Sequence, residues 1–205
     1  MKFYTFPMSP NARKVAVVAA HIGLALEPVF VDLTKKQSHT PEFLALNPNG
    51  KIPVLVDGDF VIWESNAIIQ YVAGKKPNGL WPDDARTRAD ITRWQCWQLS
   101  QWSEGTGTLM RENAMKPMLM KMDPDPEVVK RGEAAFHRDA AVLDAHLARH
   151  PYLVNDALTL ADISISVYLM HAGIAKIPLA QHKNVQAWFA RIEALPAWQQ
   201  TQPKM

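Results

Sequence analysis

At 205 residues, with 48% hydrophobic and 20% charged side chains, the chain is long enough for one large domain or two small ones and has the balance of an ordinary globular protein. Its formal net charge of +2 is spread over scattered Lys and Arg, which excludes the basic footprint of a nucleic-acid or anionic-membrane binder. One cysteine, Cys96, excludes an intramolecular disulfide, a protein dithiol and a Cys-based zinc site, and no apolar run approaches the roughly 18 residues that span a bilayer.

In chain order, Lys2–Phe6 alternates and is aromatic, predicting a first strand. The opening stretch MKFYTFPMSPNARKV lacks the apolar core of a signal peptide, so a cytoplasmic protein is expected. Pro7-Met8-Ser9-Pro10 breaks the strand, and Ala12, Val15, Ala16, Ala19 and Ile22 then repeat at helical spacing up to Gly23, a natural C-cap. Pro28–Val31 reads as a second strand. Thr40-Pro41-Glu42 starts a short helix anchored by Phe43, Leu44 and Leu46 and ended by Asn47–Gly50. Val54-Leu55-Val56, the turn signal Asp57-Gly58 and Phe60-Val61-Ile62 predict a hairpin. Ser65 then stands near the N-cap of an amphipathic helix through Ala67, Ile68, Ile69, Tyr71 and Val72. The order βαβαββα is an α/β layer of the thioredoxin type.

Gly74–Asp83 is aperiodic and reads as a linker. No strand signal follows it. Ala85–Met115 is one long or kinked helical pattern, with Gly105 and Gly107 as the expected weak point. Asp123–Pro126 punctuates. Val128, Gly132, Ala135, Phe136, Val142, Leu143 and Leu147 mark one face of another long helix. Thr159 and Asp162 form a variant capping box opening a helix through Ile163, Val167, Met170 and Ile174, and Val185, Trp188, Phe189 and Ile192 mark a last helix stopped by Pro196. The expected division is therefore 1–76 as the α/β domain, 77–84 as linker and 85–205 as an all-helical domain.

Pro53 opens the third strand and cannot donate to a ladder, which leaves the Ile52 backbone available to another partner, while a helix N-terminus at Ser65 suits a carboxylate. Together they fit a small extended peptide ending in a carboxylate. The same stretch, Lys51–Leu55 followed by Glu64–Ile68, resembles the glutathione-binding core of the cytosolic glutathione S-transferases, as do PEFLALNP at Pro41–Pro48 and the Leu158–Ile163 box. The resemblance covers nearly the whole chain. It implies a cis Ile52–Pro53 bond, an electrophile pocket contributed by the helical domain, a homodimer, and no metal or cofactor beyond glutathione as co-substrate. It also implies conjugation of the glutathione thiolate to small hydrophobic electrophiles. The rivals on the same scaffold are a non-catalytic binding or regulatory protein and another glutathione-dependent reaction, such as isomerisation, dehalogenation or peroxide reduction.

Ser9, between the first strand and the first helix, has three readings: an N-cap, a nucleophile, or a hydrogen-bond donor to a thiolate. No base and acid accompany it as a nucleophile would require. Its segment PMSPN is similar to those of plant phi-class enzymes, with flanking features of insect delta-class ones, where the serine activates the thiol. Some bacterial nu-class enzymes use a hydroxyl and an Asn two residues apart, and the likeness implies that Asn11 shares or assumes that task here. The tyrosine of the mammalian classes would fall at Thr5, not Tyr4, and the absence of a cysteine there disfavours thioltransferase chemistry. For glutathione, the resemblance assigns Glu64 and Ser65 to the γ-glutamyl end, the Ile52 backbone before Pro53 to the cysteinyl unit, and Lys51 to the neighbourhood of the glycyl carboxylate. Lys51 also reads as a solvated loop lysine. His39 stands one position from where phi and theta members place a histidine.

Outside this set, Asp162 reads as structural. His146 and His150, four apart on a helix, lack a third metal ligand in register. The Trp94–Trp102 segment reads as aromatic core or as lining of the electrophile pocket, and Cys96 within it as a buried core residue.

Overall fold

The computed structural model describes residues 1–203 and divides the chain into two compact units. The first comprises Met1–Trp81 together with the tail from Leu195; the second is Pro82–Ala194.

In the first unit the strands are β1 (Lys2–Thr5), β2 (Glu27–Phe30), β3 (Val54–Asp57) and β4 (Phe60–Trp63), in the spatial order β2-β1-β3-β4. β1 and β2 are parallel across α1 (Pro10–His21), as a βαβ crossover requires, while β3 is antiparallel to both β1 and β4. The alternation in β1 buries Phe3, and with Val54 and Leu55 it meets the apolar faces of α1 (Val15, Val17, Val18) and α3 (Ser65–Ala73; Ile68, Ile69, Val72). A smaller cluster of Val31, Phe43 and Val54 seats the short α2 (Pro41–Leu46) under Tyr4, whose ring meets Phe43 edge-on at 6.0 Å. Tyr4 thus packs into the layer, as its strand alternation predicts. The hairpin turn falls one residue later than the sequence signal. Asp57 pairs with Phe60, and Gly58 takes φ +64° at the first central position of a tight primed turn.

The second unit is helical: α4 (Ala85–Trp97), α5 (Ser103–Met110), α6 (Pro126–Leu147), α7 (Leu160–Ser166) and α8 (Lys183–Glu193). The expected long pattern over Ala85–Met115 is interrupted, but not at its glycines. Wider π-type turns occupy Gln98–Trp102 and Arg111–Met120, the second containing Pro117. Gly105 is instead a packing position: a Cβ there would lie 2.5 Å from the backbone nitrogen of Phe136, so only glycine admits this approach of α5 to α6. Asp125 caps α6, with Pro126 as its first residue, and the predicted box at α7 forms in full. Cys96 is exposed, contrary to the core reading, because α4 turns it outward between the buried Gln95 and the half-buried Trp97. Trp94 and Trp102 are buried, so this aromatic segment is mostly core.

The tail from Leu195 belongs with the first unit, where α9 (Pro196–Gln200) packs on α1. There Arg13 donates to the Trp198 carbonyl at 3.0 Å, with its guanidinium 4.1 Å from the Trp198 ring centroid. Pro196 begins this short helix rather than merely ending α8. Among the described residues, no helix is long and apolar enough to cross a membrane.

Candidate active site in the first unit

Two helix N-termini and one loop carry the candidate residues. Ser9 is the N-cap of α1, in extended backbone geometry, with Pro10 as the first helical residue. Its Oγ accepts from the Ala12 N–H at 3.3 Å. A hydroxyl has two acceptor sites and one donor, so the cap uses a lone pair and leaves the proton to donate elsewhere. The cap and the thiolate donor, alternatives in the sequence, are compatible in one half-buried side chain.

The start of α3 is unusual. Its N-cap, Glu64, has φ +71° and ψ 111°, a strained conformation for a non-glycine residue, costing about 1–3 kcal/mol. Glu64 is exposed, and its side chain makes no cap hydrogen bond to the first N–H groups of α3. Ser65 and Asn66 follow, both buried. The Ser65 hydroxyl donates to Asn11 Oδ1 at 3.2 Å, which ties the beginning of α1 to the beginning of α3.

Beneath this junction lies a residue that sequence reasoning passed over. Lys14 is fully buried, and its Nζ donates to Ser65 Oγ at 3.1 Å and to Asn66 Oδ1 at 2.7 Å. Burial drives its ammonium down to about 7, with the Glu64 carboxylate pulling the other way. The available signal was positional: Lys14 stands three and four residues before Val17 and Val18, on the apolar stripe of α1.

The third group is the loop before β3. The Ile52–Pro53 bond is cis, as the resemblance implies, and Ile52 lies outside the β1–β3–β4 ladder. The Asn47 side chain is buried and donates to the Lys51 carbonyl at 2.6 Å, fixing the loop from inside, while the Lys51 side chain is exposed. Gly50 takes φ +62°, and a Cβ there would fall 3.1 Å from His39 Nε2. His39 therefore lies against the loop that carries Lys51, oriented by Ser38 Oγ at 3.0 Å from its Nδ1. The structure thus gathers Ser9 and Asn11 at α1, with Asn11 bound to Ser65 at α3, and brings His39 to the Lys51–Pro53 loop.

The remaining polar residues lie elsewhere. Asp162 is buried in the second unit as the acceptor of four hydrogen bonds, from Thr159 N–H and Oγ1, Leu153 N–H and Trp188 Nε1. His146 and His150 stack at 4.7 Å, and His150 Nδ1 pairs with Asp156 at 2.8 Å.

The family models for the glutathione S-transferase N-terminal and C-terminal domains match residues 1–74 and 109–196. Glutathione S-transferase 3 of Zea mays is 38% identical over 98% of this chain and 92% of its own length. The chain belongs to the cytosolic glutathione S-transferase family. Among solved structures of transferases, glutathione S-transferase III in its apo form superimposes with a TM-score of 0.87 at 37% identity, covering 100% of this chain and 97% of that one. A glutathione transferase from Burkholderia graminis, solved with two glutathione molecules per subunit, matches with a TM-score of 0.87 at 28% identity over 98% of this chain and 86% of its own. The βαβαββα unit followed by helices is the architecture of those enzymes, and glutathione transferase activity is the family's chemistry.

Proposed function

We propose that this transferase conjugates the glutathione thiolate to small hydrophobic electrophiles, with Ser9 as thiol activator and with no metal. The observation that carries the reading is the Ser9 hydroxyl, whose oxygen caps α1 through a lone pair and whose proton remains to donate. A free thiol with a pKa of about 8.5 is only a few per cent ionised at pH 7. Making the thiolate dominant needs a drop of about 2 units, or about 2.7 kcal/mol, within reach of one charge-assisted hydrogen bond added to the positive end of a twelve-residue helix. The sulfur lone pair then forms the C–S bond as the electrophile's leaving group departs with its electrons. A thiolate accepts only donors, so Asn11 contributes there through Nδ2, its Oδ1 being held by Ser65.

In this reading the start of α3, which Glu64 does not cap, receives the γ-glutamyl carboxylate at Ser65, and the Glu64 carboxylate receives the amino group. Ile52 pairs its backbone with the cysteinyl unit as a one-residue strand addition, presented by the turn at Pro53. Lys51 and His39 meet the glycyl carboxylate. The working form is a homodimer in the cytoplasm. Support for self-association comes from edge strand β4, which exposes Phe60, Val61 and Trp63 at 44%, 37% and 40%.

Retention on immobilised glutathione, with conjugation of an aryl halide followed by absorbance, is the expected result. Binding without conjugation would make the protein a non-catalytic member, and no binding would remove the reading altogether. Glu64 gives a second check. Glu64→Gly should stabilise the fold by about 1 kcal/mol by relieving the positive φ, and still weaken glutathione binding about tenfold. Thermal melts beside titration calorimetry test both halves, and loss of stability together with unchanged affinity would contradict them.

A further inference from the structure

A serine at a helix start donates to a ligand only while the first turn holds its hydroxyl in place, and helix ends are where backbone bonds open most readily. The backbone bonds of Ser9 are local: its N–H donates to the Phe6 carbonyl at 2.9 Å, and its carbonyl accepts from the Arg13 N–H at 2.9 Å. The cap bond from the Ala12 N–H, at 3.3 Å, is longer than the roughly 2.7–3.2 Å of a firm N–H···O bond. Side chains of the same turn carry it to distant parts of the first unit. Asn11 Oδ1 accepts from the Ser65 hydroxyl at the start of α3, and the Arg13 guanidinium donates to the Trp198 carbonyl of α9 at 3.0 Å. Positions two apart on a helix differ by about 200°, so these ties grip the turn from opposite sides.

The contact at Arg13 is suited to hold a position. Its planar guanidinium lies 4.1 Å from the centroid of the Trp198 ring while it bonds the carbonyl of the same residue, so stacking and a hydrogen bond fix one side chain together. Arg13 and Trp198 are both buried, and exclusion of water strengthens each interaction. Thr201 Oγ1 lies 2.7 Å from the Ala197 carbonyl and 3.3 Å from that of Trp198, which closes the end of α9 behind the contact. Because the Arg13 N–H also bonds the Ser9 carbonyl, a shift of Arg13 carries Ser9 with it.

We propose that Arg13 and Trp198 are positioning residues for Ser9: through their contact the C-terminal tail holds the first turn of α1 in the orientation in which the Ser9 hydroxyl donates to the glutathione thiolate. This rests on the reading of Ser9 as thiol activator. The tail then helps to set the acidity of the bound thiol, acting through Ser9. Two other roles for Arg13, a purely structural one and a direct effect of its charge on sulfur, give different results.

Arg13→Met keeps the bulk of the side chain and leaves Thr201 beside the Trp198 carbonyl. In this variant the thiol of bound glutathione, followed by thiolate absorbance, should titrate about 1 unit higher than in the wild-type protein. With a wild-type value near 6.5, kcat at saturating glutathione should fall about fivefold at pH 6.5 and come within about twofold of wild type at pH 9, where both thiols are ionised. The Kd of S-methylglutathione, which has no thiol to titrate, should stay within about twofold. The double variant Ser9→Ala with Arg13→Met should titrate no higher than Ser9→Ala alone, since no hydroxyl is left to position. A further rise of about 1 unit in the double variant would show the charge acting on sulfur directly and overturn the proposal. A wild-type thiol pKa in Arg13→Met, whatever its melting temperature, would show a structural role only and overturn it as well. Should Arg13→Met fail to fold, Trp198→Leu keeps the charge and removes the ring: it should raise the thiol pKa by at least about half a unit, and an unchanged value overturns the proposal. Ser9→Ala with a wild-type thiol pKa removes the Ser9 reading and this proposal together, whereas a raised value there beside a wild-type value in Arg13→Met removes this proposal alone.

Discussion

In Ser9→Ala, the bound glutathione thiol should titrate about 2 units higher than in the wild-type protein, and kcat/KM at pH 6.5 should fall about fiftyfold, while glutathione affinity stays within about threefold. The reason is geometric. Ser9 caps α1 through Ala12, while the γ-glutamyl contacts are assigned to Ser65 on α3, whose hydroxyl donates to Asn11, so losing the Ser9 hydroxyl removes a donor to sulfur and none of those contacts. Alanine also removes the helix cap, at about 1 kcal/mol, and a loss of activity could then be blamed on stability. Ser9→Gly separates the effects, because glycine at an N-cap costs only a few tenths of a kcal/mol. The two variants should share the raised thiol pKa, read from the thiolate absorbance of the bound ligand, and differ in melting temperature. A wild-type thiol pKa in both would take the activating role away from Ser9.

The largest expected loss of stability lies in the second unit. Asp162 is completely buried and accepts from Thr159 N–H at 2.9 Å, Leu153 N–H at 3.1 Å and Trp188 Nε1 at 2.9 Å, with Thr159 Oγ1 at 3.2 Å. One carboxylate thereby fastens the start of α7, the loop before it and α8. Asp162→Ala strands those buried donors and leaves a cavity, for an expected cost of about 3–5 kcal/mol. Against a total of about 5–15 kcal/mol, that is enough to reduce the soluble yield. Urea unfolding measures it, and a cost below about 1 kcal/mol would show that water replaces the carboxylate. A pH signature accompanies the change. Burial raises the Asp162 carboxyl to about 6, above an unfolded value of about 3.9. The folded state then holds this proton more tightly than the unfolded one, so the stability linked to that proton is full below about pH 4 and is lost as the pH rises through 6, on top of the hydrogen-bonded part. Asp162→Ala should lack that slope.

The architecture was readable because local signals agreed. The apolar stripe of α1, the Thr40-Pro41 start, the Gly58 turn and the Thr159–Asp162 box each correspond to an observed element, as does the cis bond at Pro53 that the resemblance implied. What escaped depends on contacts distant in sequence. Lys14 is buried by α3, more than fifty positions away, and its stripe position was masked by the expectation that lysine faces water. Cys96 was placed in the core because its neighbours are tryptophans, although which neighbour turns inward depends on what α4 meets. Gly105 looked like a weak point, since sequence shows that a side chain is missing and not that the Phe136 backbone occupies its place. For Ser9, the sequence posed a choice between cap and donor that bond directions make unnecessary.

The wider turn at Gln98–Trp102 alters how the second unit should be aligned and engineered. Trp97 and Trp102 are five positions apart, and on an uninterrupted α-helix they would point about 140° from each other. Here their rings stack at 5.8 Å with only 23° between planes. The turn acts as a phase shifter: a wider turn advances each residue by less than about 100°, so the faces of α5, including Gly105 against Phe136, are out of step with the spacing of α4. Spacing rules for an amphipathic helix therefore apply separately on each side of the turn. Deleting one residue within 98–102 would realign α5 and face it away from α6, a greater disturbance than most single substitutions in either helix.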